Sequence, residues 1–104
     1  MEKVEQFYNK NQFLIRGDNG ITFQSYKSTI ANIDNNGNLS LFRDWDYSKT
    51  TLKHFYLFLN DYIYKLKSSE DNEKLKNIMY YSKNKKKDIQ KLIDEKIICY
   101  MGEM

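Results

Sequence analysis

The hydrophobic period of this chain changes at Asp44-Trp45-Asp46-Tyr47-Ser48-Lys49-Thr50-Thr51. Upstream, apolar residues come in short alternating runs broken by Asn and Gly. Downstream, they recur every three or four residues. Strand side chains alternate between faces, whereas a helix returns to one face after about 3.6 residues. One such switch constrains the chain to an α+β fold, strands first and helices after. At 104 residues it forms one domain, 1–104, with a single modest core.

Gln12–Arg16 is a short apolar run of β-favouring residues, followed by turn chemistry at Gly17-Asp18-Asn19-Gly20. Ile21–Tyr26 alternates, Ser28–Ile33 reads as the next strand, and Leu39–Phe42 as the return. Between the last two lies Asp34-Asn35-Asn36-Gly37-Asn38, where Asn and Gly tolerate positive φ. The pattern predicts an antiparallel β-meander of three or four strands over residues 11–43. Residues 1–10 read as one or two helical turns with Val4, Phe7 and Tyr8 on one side, or as a frayed end.

Ser48 is a good N-cap for a main helix over residues 48–66. Leu52, Phe55, Tyr56, Leu59, Ile63 and Leu66 form a stripe expected to cover the sheet. Leu57, Phe58 and Tyr64 fall off it and predict a second apolar face, covered by the final helices or by a partner. Lys67–Asn72 breaks the helix, and Ser69 or Asp71 can cap a second one with Leu75, Ile78 and Met79 inward. Ser82 or Asn84 starts a third through the lysine run, with Ile89, Leu92, Ile93 and Ile97 as its stripe. Ile97–Met101 suits a short closing strand or a buried tail, so residues 70–101 hold two helices and an ambiguous end.

Composition narrows the function. Cys99 is the only cysteine, which excludes an internal disulfide, and its apolar surroundings suggest an inert buried thiol. No Cys/His spacing suits zinc, and no P-loop, nucleophile elbow or other cofactor motif is present. The expectation is a protein without cofactor or metal and not an enzyme. No apolar run approaches the ~18–20 residues of a membrane span, and the N-terminus lacks a signal peptide's apolar region. The expected location is the cytoplasm of the host bacterium. Charge is uneven: residues 1–47 carry five basic and six acidic side chains, residues 48–104 twelve and eight. That hints at an anionic partner for the second half and weighs against mimicry of DNA.

Three groups of residues are candidates for function. Lys83, Lys85, Lys86, Lys87 and Lys91 are dense enough to bind phosphates, with Tyr80 and Tyr81 available to stack on bases. The run contains no Arg and is interrupted by Asp88, Asp94 and Glu95, so a solvated helix face explains it more simply. The second group, Trp45, Tyr47, Phe58, Tyr64, Tyr80 and Tyr81, is the rigid aromatic material of protein interfaces. Core or rim packing competes for Trp45 and Tyr47, and contact with the last helices competes for Phe58 and Tyr64. The third group is His54 with Ser48, Thr50, Thr51, Asp44, Asp46 and Asp61. A helix N-terminus could gather a Ser, a His and a carboxylate, but capping and packing account for them without catalysis. Asp44 and Asp46 would be only two ligands for a divalent ion, too few to bind well.

Phe23-Gln24-Ser25-Tyr26-Lys27-Ser28-Thr29-Ile30-Ala31, then a hairpin, then Trp45-Asp46-Tyr47-Ser48-Lys49-Thr50-Thr51 resembles a family of small domains of unknown function from phages and mobile elements of low-GC bacteria. The pattern is F-x-S-Y-x-(S/T)-x-I-A followed by W-D-Y-S-x-T-T before a helix, and it covers roughly residues 21–60. The resemblance implies a setting: an accessory protein that binds and inhibits a host defence protein, anti-CRISPR-like, by steric occlusion. The partner would be a host protein such as a CRISPR–Cas nuclease or complex. The alternative is a small nucleic-acid-binding accessory or regulatory protein using the Lys-rich C-terminal helices. No membrane is implied, and a homodimer stays open through the second apolar face. Independently of the family, the Ser-Tyr and Asp-Tyr-Ser segments would brace sheet to helix under Trp45.

Overall fold

The computed structural model describes residues 2–102 and shows an α+β domain. Its six strands are β1 (Lys3–Phe7), β2 (Asn9–Gly17), β3 (Gly20–Ser25), β4 (Ser28–Ile33), β5 (Leu39–Phe42) and β6 (Cys99–Gly102). They form one sheet in sequence order, antiparallel from β1 to β5, with β6 parallel to β5. The helices are α1 (Lys49–Tyr62), α2 (Glu70–Tyr81) and α3 (Lys85–Asp94), with short 3-10 turns at Arg43–Asp46 and Ile63–Lys65.

The meander is larger than its sequence suggests. The first residues are neither helical nor frayed: β1 pairs with β2, Val4 opposite Ile15 and Glu5 opposite Leu14. β1 is held from the helix side as well. The Tyr8 hydroxyl donates to Asp61 Oδ2 at 2.8 Å, and Arg16 pairs with Glu5 while its Nη2 donates to the Tyr62 hydroxyl at 2.7 Å. The ambiguous C-terminus resolves as a strand, and Cys99 on it is exposed rather than buried. The hairpin loops behave as their residues dictate. Asp34 Oδ1 accepts from the backbone N–H groups of Asn36 and Asn38, and Gly37 sits at φ 80°. A Cβ at Gly37 would lie 2.5 Å from the Lys67 nitrogen, so the loop and the end of α1's 3-10 extension are fitted to each other through a glycine.

α1 lies across the sheet and is the centre of the core. Ser48 caps it, its Oγ accepting from the Thr51 N–H at 3.1 Å. The face turned to the sheet carries Thr51, His54, Phe55, Phe58 and Leu59. This corrects the expected stripe by about one residue's rotation. Phe55 and Leu59 are inside as expected, but Leu52 and Tyr56 are only half-buried, while Phe58 is central. The reason is aromatic: the Phe58 ring stacks on Phe23 of β3 at 5.6 Å, and Phe7 of β1 meets both rings edge-on. Trp45 closes the other end of this layer, its ring edge-on to Phe55 at 5.8 Å. Leu75 and Met79 of α2 and Ile89 and Leu92 of α3 complete the core. α2 and α3 are capped by Ser69 and Asn84, one of the two candidates for each.

Candidate binding cleft and docking face

α1 positions two surface features, one at its N-terminus and one along its outer side. The first is a cleft of about 690 Å³ between the β3–β4 hairpin and the start of α1. The hairpin contributes Ser25, Tyr26, Lys27 and Ser28, with Ile30 beneath. The other wall is Asp44, Tyr47, Ser48, Thr50 and Thr51. Every lining residue but Asp44 belongs to one of the two sequence stretches that carry the family resemblance. Distant in sequence, the two meet here.

The brace expected at this joint exists, but it does not explain all the residues. Trp45 is buried on Phe55, Ser48 caps α1, and Ser28 Oγ donates to Asp44 Oδ2 at 3.0 Å. Tyr26 and Tyr47, by contrast, stand at the rim, and Tyr47 is 78% exposed. Tyr26 is held at φ 55°, a left-handed conformation unfavourable for a bulky side chain, with its N–H donating to the Asn11 carbonyl at 2.6 Å.

The buried polar side chains among the described residues are Gln12, Ser25, Thr51 and His54, and they gather at this corner. Ser25 and Thr51 line the cleft, Gln12 is Ser25's cross-strand partner, and His54 Nδ1 lies 2.9 Å from the Thr50 carbonyl oxygen. Thr51 Oγ1 is 3.1 Å from Ser48 Oγ. Ser25 Oγ and both carboxamide atoms of Gln12 have no protein partner. Neither Gln12 nor Ser25 figured among the sequence candidates. Their only signal was polarity at inward positions of strands, visible once the register is known.

The second feature is an open groove of about 420 Å³ on α1's outer side, lined by Leu52, Tyr56 and Leu57 with Lys49, Lys53 and Asn60 around them. Of the second apolar face expected from the sequence only Leu57 lies here; Phe58 is buried in the core and Tyr64 stands exposed elsewhere, while Leu52 and Tyr56 of the expected core stripe take their place. Burial, and after it the nearby Asp46 carboxylate, push the Tyr56 phenol above its ordinary range. Lys86 Nζ of α3 lies 3.9 Å from Asp46 Oδ2, so the lysine-rich start of α3 approaches the same end of α1.

The structure separates the expected partner-binding residues. Tyr47, Tyr64, Tyr80 and Tyr81 are exposed, the last two adjacent on α2 with ring centroids 6.3 Å apart. Trp45 and Phe58 are buried, Phe58 completely, so neither can meet a partner and both serve packing. Of the expected nucleic-acid-binding lysines, Lys83, Lys86, Lys87 and Lys91 are exposed, while Lys85 is half-buried and reaches the Ser82 carbonyl at 3.4 Å. The His54 group is partly assembled: Asp44, Ser48, Thr50 and Thr51 line the cleft, His54 lies one turn into α1, and Asp61, in the last turn of α1, is taken by Tyr8. No group of three His, Cys, Asp or Glu among the described residues could hold a metal ion. No described helix is long and apolar enough to cross a membrane.

Fold and surface together define a small α+β domain in which one helix carries the core, a polar cleft and an apolar groove. The chain belongs to DUF8033, a family of unknown function whose model matches residues 1–91. The match extends well beyond the two stretches at residues 23–51 that carry the resemblance and takes in α2 and most of α3. No match to a curated protein or to a solved structure was found.

Proposed function

We propose that this protein is a non-enzymatic binding protein that docks on a partner protein through the outer side of α1. The carrying observation is that α1 has more apolar surface than the sheet uses. One set of side chains fills the core, and Leu52, Tyr56 and Leu57, packed on its edge, stay partly exposed in a groove. An apolar centre with a charged rim is the make-up of protein interfaces. The rim is basic, with Lys49 and Lys53 beside the groove and no acid in the first turn of α1, so the partner's surface carries acidic side chains. The partner class is a host defence protein, inhibited by occlusion in the anti-CRISPR manner within a phage or mobile element; the small size and the resemblance of residues 21–60 support that setting.

The test is a plasmid-interference assay in cells with an active CRISPR–Cas system. Expression of the chain should restore transformation, and the Leu52→Asp/Leu57→Asp double variant, checked for a native circular dichroism spectrum, should not. Intact interference against every defence system of its host would remove the inhibitor reading. A folded double variant that retains full inhibition would remove the docking face.

A second reading rests on Tyr80 and Tyr81, exposed immediately before the exposed Lys83, Lys86 and Lys87. Stacking rings beside cations suit single-stranded nucleic acid. Reversing Lys83, Lys86 and Lys87 to Glu should then abolish binding to single- or double-stranded DNA, and absence of binding at ~50 mM salt would exclude it.

A further inference from the structure

Docking through the outer side of α1 leaves the cleft at its N-terminus unused. Its polarity is hard to explain by folding. Ser25 is 3% exposed and Gln12 0% exposed, yet Ser25 Oγ and the Gln12 Oε1 and Nε2 atoms lack protein partners. Buried polar atoms are nearly always hydrogen-bonded, because stripping their water without replacement is unfavourable. Three such atoms on a directly opposed pair, Ser25 lining the cleft and Gln12 beside it, mark groups positioned for something that enters. The walls indicate what. Tyr26 and Tyr47 stand exposed at the rim, and packing accounts for neither. Thr50 and Thr51 bring the first turn of α1, where Ser48 takes the Thr51 N–H and the helix dipole favours negative charge, and Lys27 adds a cation from the facing hairpin. The lining carboxylate, Asp44, is engaged by the Ser28 hydroxyl.

We propose that the cleft binds a nucleotide: its base lies against the rim tyrosines, the polar edge meets Ser25, and the phosphate sits at the N-terminus of α1 with Lys27. A planar ring, hydrogen-bonding edges and an anion are what these three parts of the wall recognise, and the volume is in the range of small-ligand sites. The same unit occurs free in solution or unpaired in a nucleic-acid strand. The proposal does not rest on the docking reading, since it uses a different surface.

The test is titration of the full chain, by calorimetry and by amide NMR, with each of the four ribonucleoside 5′-monophosphates, with inorganic phosphate, with adenosine, and with a short mixed single-stranded oligonucleotide. Saturable shifts of the Ser25, Lys27, Thr50 and Thr51 amides by at least one mononucleotide are expected. Binding should weaken about tenfold in Ser25→Ala and roughly fivefold or more in Tyr47→Ala, where the exposed ring puts folding at no risk. Ser25→Ala should also melt no lower than the parent, since it removes an unpartnered hydroxyl. Equal affinity per site for monomer and oligonucleotide identifies the free nucleotide as the source; tighter oligonucleotide binding with the same shifts identifies a strand. Phosphate binding as tightly as every mononucleotide would overturn the proposal in favour of a simple anion site. Shifts confined to α3, or no saturable shift with any mononucleotide at millimolar concentration, would overturn it outright; in the latter case the buried groups are served by solvent.

Discussion

Replacing Gln12 with methionine should make this protein more stable. Gln12 is wholly buried on the core side of β2, beside Leu14 and across from Ser25. Both polar atoms of its carboxamide are without protein partners. Mutational data put the cost of an unsatisfied buried polar group at about 1–3 kcal/mol. Methionine keeps the unbranched shape and nearly the volume, so the substitution opens little cavity and adds little strain. The expected gain is about 1–3 kcal/mol. For a domain of this size each kcal/mol corresponds to roughly 4–8 °C, so Tm should rise by at least about 4 °C. Urea unfolding followed by fluorescence is the direct assay, because Trp45 is the only tryptophan and is buried against Phe55. With slopes of about 1–3 kcal/mol per M, the midpoint should move up by roughly 0.3–3 M at unchanged slope. A lower midpoint would refute the reasoning, since it would mean that the carboxamide makes native hydrogen bonds worth more than its desolvation.

Three other outcomes follow from the same packing. Phe58→Ala removes the ring stacked on Phe23 and should cost about 3–5 kcal/mol by urea denaturation, while Tyr64→Ala, on an exposed side chain, should stay within about 0.5 kcal/mol. Gly37→Ala forces a Cβ into the Lys67 backbone at a positive φ and should lower stability by more than about 1 kcal/mol in thermal melts; a neutral result would show that the 34–38 loop can move away from α1's end. The Glu5 carboxyl is held below its ordinary value of 4.5, chiefly by its hydrogen bond from Arg16. A folded-state pKa below the unfolded one stabilises above about pH 4.5 and stops doing so as pH falls through the lowered value. The small Tm advantage of the parent over Glu5→Gln should therefore be present at neutral pH, shrink on acidification and weaken in high salt; an advantage that persists at pH 2 would assign it to packing instead.

Much of the fold is set by interactions within a few residues and is therefore visible in the chain itself. β4 and β5 have the expected boundaries, Asp34 and Gly37 form the loop between them, and Ser48, Ser69 and Asn84 cap the three helices. Turns and caps are closed by side chain and backbone atoms two to four positions apart, so composition at those positions is sufficient. The lysine run and the exposed tyrosines of α2 were legible for the same reason: nothing apolar near them in sequence demands their burial.

What the sequence could not determine depends on contacts between distant segments. Lys3–Phe7 has no pattern of its own and is a strand because β2 offers it an edge and Asp61 and Arg16 hold its end. β6 exists by parallel pairing to β5 across more than fifty residues. Helical periodicity made α1 certain but left it two apolar sides. The choice fell to the rings of Phe7 and Phe23, which place Phe58 inward and leave Leu52, Tyr56 and Leu57 for a groove. The cleft is the furthest from sequence: Gln12 and Ser25 are ordinary polar residues until the β2–β3 register opposes them and α1's N-terminus closes over the corner. Local chemistry settled which elements form. Only the packing of sheet against helix decided which side chains are spent on the core and which remain to bind.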